Sequence, residues 1–484
     1  MPNNNNWSRQ LAKIAREDMV MFVNACFACT GQQEFYSDAW GGGVSIDFLH
    51  DYILGNYRLL YARTLAAGIN HFNQAQIILK LLATGKETLP EHRAEEGALI
   101  AATLNRMPPQ RAWRLLVEMR QRRINNRRSR AIARDYIKQR EDMSFHAVKY
   151  RSKVRAIAIH NHLNLGGELG LFLFRHWQQR TYETELFEVF RKARYDREAV
   201  YRLPLTVAEG FAAKHDIPRD VFLYRIQPMM TKIEKLRFQE SAKRAGDIEV
   251  KVDLGRMPLT RLALYVLSLA LGDRQKRRDI LHSALERSAH NCLKVSPFQQ
   301  LERVAAVLDC SYSASGSSEK RRRPLGVALA GHYLLQAASK EYRAFWTLPV
   351  EDPILVRARG QTNIAEPLLD ALDWNPDLIV IISDACDNDP PRGAAEVLRI
   401  YRDKLDPKIQ TSIIHCNPVF DAEDFYLRQL SPAIPTVGLR DAEDLPTMLG
   451  FARFAEGSAP LSQLEAYLAF RVKEMLLQVE FSKT

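Results

Sequence analysis

Asp309-Cys310-Ser311-Tyr312-Ser313 closes a short apolar run, Val304 to Leu308, and places a carboxylate and two hydroxyls at alternate positions. A second apolar run, Leu378 to Ile382, ends in Ser383-Asp384. Between the two, Gly360-Gln361-Thr362-Asn363 is a polar stretch ahead of a helix that begins around Glu366-Pro367. If both runs are strands of one parallel sheet, these groups meet at its carboxyl edge, where open α/β sheets bind ligands. Asp309, Ser311, Ser313, Thr362 and Asp384 are all hard oxygen donors. Such a set suits Mg²⁺ or another divalent cation, which favours oxygen ligands and, for Mg²⁺, keeps several waters. With few protein charges around it the ion stays electrophilic, and it can take an acidic group from a partner protein at an open position.

A second chemistry lies in the charge. Residues 106–155 hold 16 basic and 4 acidic residues, a net +12, whereas the whole chain has 68 Lys+Arg, 57 Asp+Glu and a net +11. Residues 301–484 carry 20 basic and 26 acidic residues, a net −6. That polarity points to a polyanion partner for the first half. The window reads Arg127-Arg128-Ser129-Arg130, then Arg134, and later Lys149-Tyr150-Arg151-Ser152-Lys153-Val154-Arg155 ahead of His160 and His162. On a helix Arg127, Arg130 and Arg134 share a face, while Lys149 with Lys153 and Arg151 with Arg155 form two adjacent rows. Arginine forks onto phosphate oxygens and stacks on bases. Tyr150 and the histidines can stack on unpaired bases, the usual way RNA single strands are read.

The elements that must hold these groups follow from periodicity. At 484 residues, 46% hydrophobic and 26% charged, the chain is globular and long enough for two to four domains. Helical spacing predicts helices over Leu65 to Leu82, Arg111 to Met119, Ser129 to Lys138, Ala147 to Ile159, Leu186 to Ala193, Val221 to Leu236 and Leu259 to Leu271. Repeated helices without strands suggest a helical repeat array. Beyond residue 300 the pattern changes. Strand-like runs at Val304 to Leu308 and Leu378 to Ile382, with weaker ones at Ala344 to Leu348 and Ser412 to Ile414, alternate with helical stretches. Alternation of that kind implies a parallel sheet covered on both faces. No run reaches the length of a membrane helix, Met1 to Asn6 is polar, and six cysteines fit a reducing compartment, so a cytoplasmic protein with no membrane partner is expected.

Asp309-x-Ser311-x-Ser313 after an apolar strand, with a later loop threonine and a strand-end aspartate, resembles the von Willebrand factor A domain and its metal-ion-dependent adhesion site. The resemblance implies that Ser311, Ser313 and Thr362 ligate the metal directly and that Asp309 and Asp384 act largely through water. Ala147-Val148-Lys149-Tyr150-Arg151 is similar to the core motif of the TROVE module of the Ro autoantigen group, and Met257-Pro258-Leu259-Thr260 to another of its segments. The order of parts, a helical-repeat ring followed by an A domain, also matches. In that family the ring binds single-stranded ends of misfolded RNA, and the basic exterior binds small structured noncoding RNA. By resemblance Lys149, Arg151 and either His160 or His162 face the RNA, the spacing to the histidine being shorter here than in the family. Gly41-Gly42-Gly43 departs from the family's glycine-rich opening segment.

The expected architecture is therefore multidomain, α followed by α/β. An N-terminal segment occupies 1–44, a TROVE-like helical (HEAT-like) ring or arch 45–298, a doubly wound A-type domain 299–455, and a C-terminal helix 456–484. Cys26-x-x-Cys29 has no second pair to complete a zinc site and reads as core thiols. Asp384, Asp387 and Asp389 mimic a nuclease cluster, but no strand end supplies an evident general base. The expected function is thus RNA binding by a ribonucleoprotein scaffold, without turnover. The alternative is an A-domain adaptor that binds proteins together with a partner ATPase and has no RNA role.

Overall fold

The computed structural model describes residues 4–32, 42–175, 178–231, 234–235, 253–295, 300–420, 427–456 and 459–481. Gly41 and Leu236 lie outside the described residues. The chain forms two compact units, Ile78–Asp253 and the combination of Met1–Ile77 with Leu254–Thr484. No described helix is long and apolar enough to cross a membrane.

The Ile78–Asp253 unit is helical. After α1 (Asn4–Ala28), α2 (Gly42–Asn56), α3 (Arg58–Arg63) and α4 (His71–Ala83) in the chain, it runs through α5 (Arg93–Arg106), α6 (Pro109–Gln121), α7 (Arg127–Lys138), α8 (Met143–Lys149), α9 (Arg151–His160), α10 (Gly167–Phe174), α11 (Glu185–Lys192), α12 (Arg197–Val200), α13 (Leu205–Lys214) and α14 (Arg219–Ile226). Local chemistry sets several ends. Pro109 occupies the first turn of α6, where its missing N–H costs nothing. Asn126 and Ser129 cap α7 reciprocally, each side chain accepting the other's backbone N–H at 2.9 Å. Four expected helices are shorter than their periodicity suggests. Leu259 to Leu271, in the other unit, stops at Ser268, with Leu269 and Ala270 both extended (ψ 149°) before the next helix begins. Ala147 to Ile159 is broken at Tyr150 (φ −117°, ψ 30°) into α8 and α9. Val221 to Leu236 stops at Ile226, because Pro228 has no N–H to continue the ladder and a 3₁₀ turn follows. Leu65 to Leu82 breaks at Gly68 (φ +88°), between a 3₁₀ turn at Thr64–Ala67 and α4.

The other unit is built on five parallel strands, β1 (Leu301–Leu308), β2 (Ser339–Trp346), β3 (Leu378–Ile382), β4 (Ser412–Asn417) and β5 (Thr436–Gly438), in the order β2-β1-β3-β4-β5. The weaker strand candidates are thus the ends of β2 and the start of β4. β5 escaped prediction because three residues carry no period. Helices α15 (Leu259–Ser268), α16 (Leu271–Lys276), α17 (Arg278–Val295), α18 (Arg323–Ala338), α19 (Ala365–Asp373), α20 (Gly393–Ile400), α21 (Leu445–Ala455) and α22 (Leu461–Phe481) complete it. α18 is buried almost all round, as its apolar sequence demands, with α15 and α17 packed against it. One face of the sheet buries Ala305, Val307, Ile379, Ile381 and Ile413 beneath α19 and α20.

Two buried amides organise the N-terminal helices of this unit. Asn70 and Asn73 donate to the carbonyls of Cys26, Phe27 and Cys29, which the end of α1 leaves without helical partners. Asn24 in α1 covers the edge strand β5. Its amide donates to Thr436 O and accepts from Gly438 N, so the strand edge is closed by a side chain. Cys26 and Cys29 are both buried, and burial followed by the neighbouring Cys29 raises the Cys26 thiol well above the usual range.

Candidate cation site and basic helices

Strand register builds the first site. β1 and β3 pair from Val304↔Leu378 to Leu308↔Ile382, and Asp309 N donates to Ile382 O at 3.1 Å. The register sets Asp309 opposite Ser383, so Asp309 and Asp384 leave the ends of adjacent strands one residue apart. β1 and β3 are also where the strand order reverses, the place at which a crevice opens in such sheets. Asp309 Oδ1 accepts the Ser311 N–H at 2.8 Å, and Ser311 Oγ lies 3.1 Å from Ser313 Oγ. Asp384 Oδ1 accepts from Cys386 N at 3.0 Å. Among the described residues the remaining oxygens, Oδ2 of Asp309 and of Asp384, are buried with no hydrogen-bond partner. Such orphaned acceptors are costly unless something satisfies them. Burial, and then the negative charge of Asp384, push the Asp309 carboxyl up to about 7.

The Thr362 loop is brought in by a separate device. Thr362 N donates to Asn388 Oδ1, and its carbonyl accepts from the N–H groups of Asn388 and Asp389. On the other side Gly360, at φ +73°, accepts from Tyr312 N, while Arg359 N donates to Cys310 O, both at 3.0 Å. A left-handed residue is needed at that turn, hence glycine. Thr362 itself is buried. Thr347 and Asn388 escaped sequence reasoning. Thr347 follows β2 directly, so it stands at the strand end beside β1; its hydroxyl accepts from Cys310 N at 3.0 Å. The signal was the strand-end rule itself, applied to a strand with a weak pattern.

Asp309, Ser311, Ser313 and Asp384 fit a hard cation: two charged oxygens in need of a partner stand beside two hydroxyls. Among the described residues no three His, Cys, Asp or Glu side chains cluster as metal ligands. The rest of any coordination shell would come from hydroxyls, backbone and water. The thiols nearby are inert, Cys386 being pushed up to about 12 by burial and then by Asp384.

The basic residues of the helical unit divide into two groups. Arg127, Arg130 and Arg134 of α7 and Arg155 of α9 are exposed, as is His162 at φ +53° just past α9. Arg130 and Arg134 donate to residues near them in sequence, Asn125 and Asp135. The other group turns inward. Arg128 donates to buried Glu96 at 2.5 Å. Lys149 pairs with Glu234 at 3.2 Å, with both side chains largely covered. Arg151 donates to Phe172 O at 3.0 Å and lies over the Phe172 and Phe190 rings. His160 Nε2 donates to Ile124 O at 2.9 Å, tying the end of α9 to the turn before α7. Lys153 is half-buried over Tyr150, and burial followed by the charge of Arg114 lowers its amine. Tyr150 stacks on His146, which accepts from Trp113 Nε1 at 3.1 Å. Lys149 and Lys153 stand on different helices, so only Arg151 and Arg155 form an unbroken row.

No known family and no curated protein matches the sequence. Among solved structures, the crystal structure of the Deinococcus radiodurans RO (RSR) protein is similar over 91% of this chain and 100% of that chain, at 14% identity and a TM-score of 0.44. A likeness of that size carries no weight for what this chain binds.

Proposed function

We propose that the chain is an RNA-binding scaffold of the Ro type, gripping single-stranded ends and small noncoding RNA with its helical unit. The observation that carries this reading is exposure: of the 16 basic residues between 106 and 155, eleven are exposed, with only four acidic residues in the same window. Residues 78–253 hold 35 Lys+Arg against 22 Asp+Glu, and the rest of the chain 33 against 35. The excess charge is therefore confined to the helical unit. Phosphate contacts from Arg127, Arg130, Arg134 and Arg155 supply affinity, and no step of turnover is involved. Mg²⁺ or a similar cation held by Asp309, Ser311, Ser313 and Asp384, with Thr362 alongside, would offer an electrophilic site to an acidic group of a protein partner.

Charge reversal on the outward face tests this: Arg127→Glu/Arg130→Glu/Arg134→Glu abolishes RNA binding with the thermal melt unchanged. Lys149 and Arg151 are poorer probes, because their reversal strands Glu234 and the ring pair around Phe172. The adaptor reading draws on a different observation, the two orphaned carboxylate oxygens. It predicts unchanged RNA retention in the triple variant and lost protein pull-down in Asp309→Ala.

A further inference from the structure

The run Lys320-Arg321-Arg322-Arg323 follows the Asp309–Ser313 loop and is not used by either site above. Its residues have separate fates. Arg323 pairs with Asp441 at 2.8 Å, and Lys320 is buried. Arg321 and Arg322 are exposed, as are Arg357 and Arg359 on the neighbouring loop. Among the described residues these four guanidinium groups make no side-chain hydrogen bond or ion pair. The two loops lie side by side, joined by Tyr312 N to Gly360 O and Arg359 N to Cys310 O. Tyr312, between them, exposes 61% of its surface.

The patch is also held rigidly. Arg274, buried beneath it, donates to the carbonyls of Leu267, Leu269, Ile354 and Val356 at 2.8–3.0 Å. It thereby clamps the turn that leads to Arg357. Among the described residues no carboxylate pairs with Arg274; burial and then the charges of Arg322 and Arg357 lower its guanidinium to about 10. Three guanidinium groups that repel one another without a counter-ion form a field that an anion relieves. Adjoining it is an exposed aromatic ring, which adds a surface on which a base can stack.

We infer that Arg321, Arg322, Arg357 and Arg359 with Tyr312 form a second contact for single-stranded RNA, the arginines on backbone phosphates and the tyrosine under a base. The inference rests on the RNA-scaffold reading and extends it to the sheet unit. Unit-wide charge did not reveal it, because the acidic residues of that unit outnumber its basic ones. A protein carrying phosphate groups would satisfy the arginines but would not use the ring.

The test is titration of the full-length chain with a fluorescein-labelled twelve-nucleotide oligouridylate over a salt series, beside a duplex of equal length. Arg322→Glu/Arg357→Glu is expected to weaken single-strand binding at least about tenfold and to flatten the salt slope by about 1 to 1.5. Arg322→Lys/Arg357→Lys is expected to retain most of the affinity. Tyr312→Ala is expected to weaken the single strand roughly five- to a hundredfold and the duplex hardly at all. Unchanged affinity and slope in the glutamate and alanine variants, with loss confined to the Arg127/Arg130/Arg134 triple variant, would overturn the inference and leave the wider reading standing. Failure of the unaltered chain to bind the oligonucleotide would overturn both. Loss of binding to a phosphopeptide but not to RNA would overturn the inference as well.

Discussion

The candidate cation site and the basic helices follow opposite rules for turning sequence into an arrangement of side chains. In the sheet unit, five residues from three separate segments are positioned by strand register and local hydrogen bonds: parallel register sets Asp309 opposite Ser383, one residue before Asp384, and the Asn388 side chain with neighbouring amides tethers Thr362. In the helical unit neighbours in sequence have unrelated fates. Arg127 faces solvent while Arg128 holds buried Glu96. A motif is a sound guide where main-chain geometry fixes side-chain direction. A charge count guides only the total where each long side chain selects a partner in three dimensions.

The comparison is broken most severely if adjacent arginines prove equivalent. Arg128→Ala is expected to destabilise the chain by about 3–5 kcal/mol, because it takes the guanidinium from a buried carboxylate, Glu96, that also accepts from Thr88. Urea unfolding measures this. An equal loss from Arg127→Ala would erase the distinction between inward and outward groups.

Next in size is the cation effect. Saturating Mg²⁺, at about a hundred times its dissociation constant, should stabilise the chain by about 2.7 kcal/mol. Asp384→Asn should abolish that increment and yet raise the stability of the metal-free protein, since it removes a charge facing buried Asp309. A differential scan with and without Mg²⁺ reads both signs. A variant that is destabilised without metal would contradict the like-charge account.

A smaller effect concerns acid. His332 is buried in α18 beside Tyr342, and burial, then the charge of His282, lowers its imidazole to about 4. The unfolded chain takes up that proton near 6.5, so the folded state keeps this contribution above 6.5 and loses it as pH falls toward 4. The urea midpoint should drop over that window, and His332→Gln should flatten the drop. Smallest of all, Arg127→Ala and Arg130→Ala should each change stability by no more than about 0.5 kcal/mol while lowering RNA affinity.

Much of the sheet was legible before its structure. Val304 to Leu308 and Leu378 to Ile382 are apolar on both faces, as central parallel strands must be, and each ends in its carboxylate. Thr347 and β5 were not legible, one because the preceding strand is only half-buried, the other because it is too short to show alternation. Helices were found but not their ends: Gly68, Tyr150 and Pro228 interrupt runs whose apolar spacing continues past them. The pairing of Lys149 with Glu234, 85 residues away, leaves no trace in either local sequence.

The central claim is that the outward arginines of the helical unit hold single-stranded RNA through its phosphates. Its most direct test is the affinity of the unaltered chain for matched single-stranded and duplex RNA from about 50 to 200 mM salt. The account predicts tighter binding of the single strand, with log affinity falling linearly against log salt at about −0.7 per phosphate engaged. Equal affinity for the two forms, with a slope near zero, would contradict it.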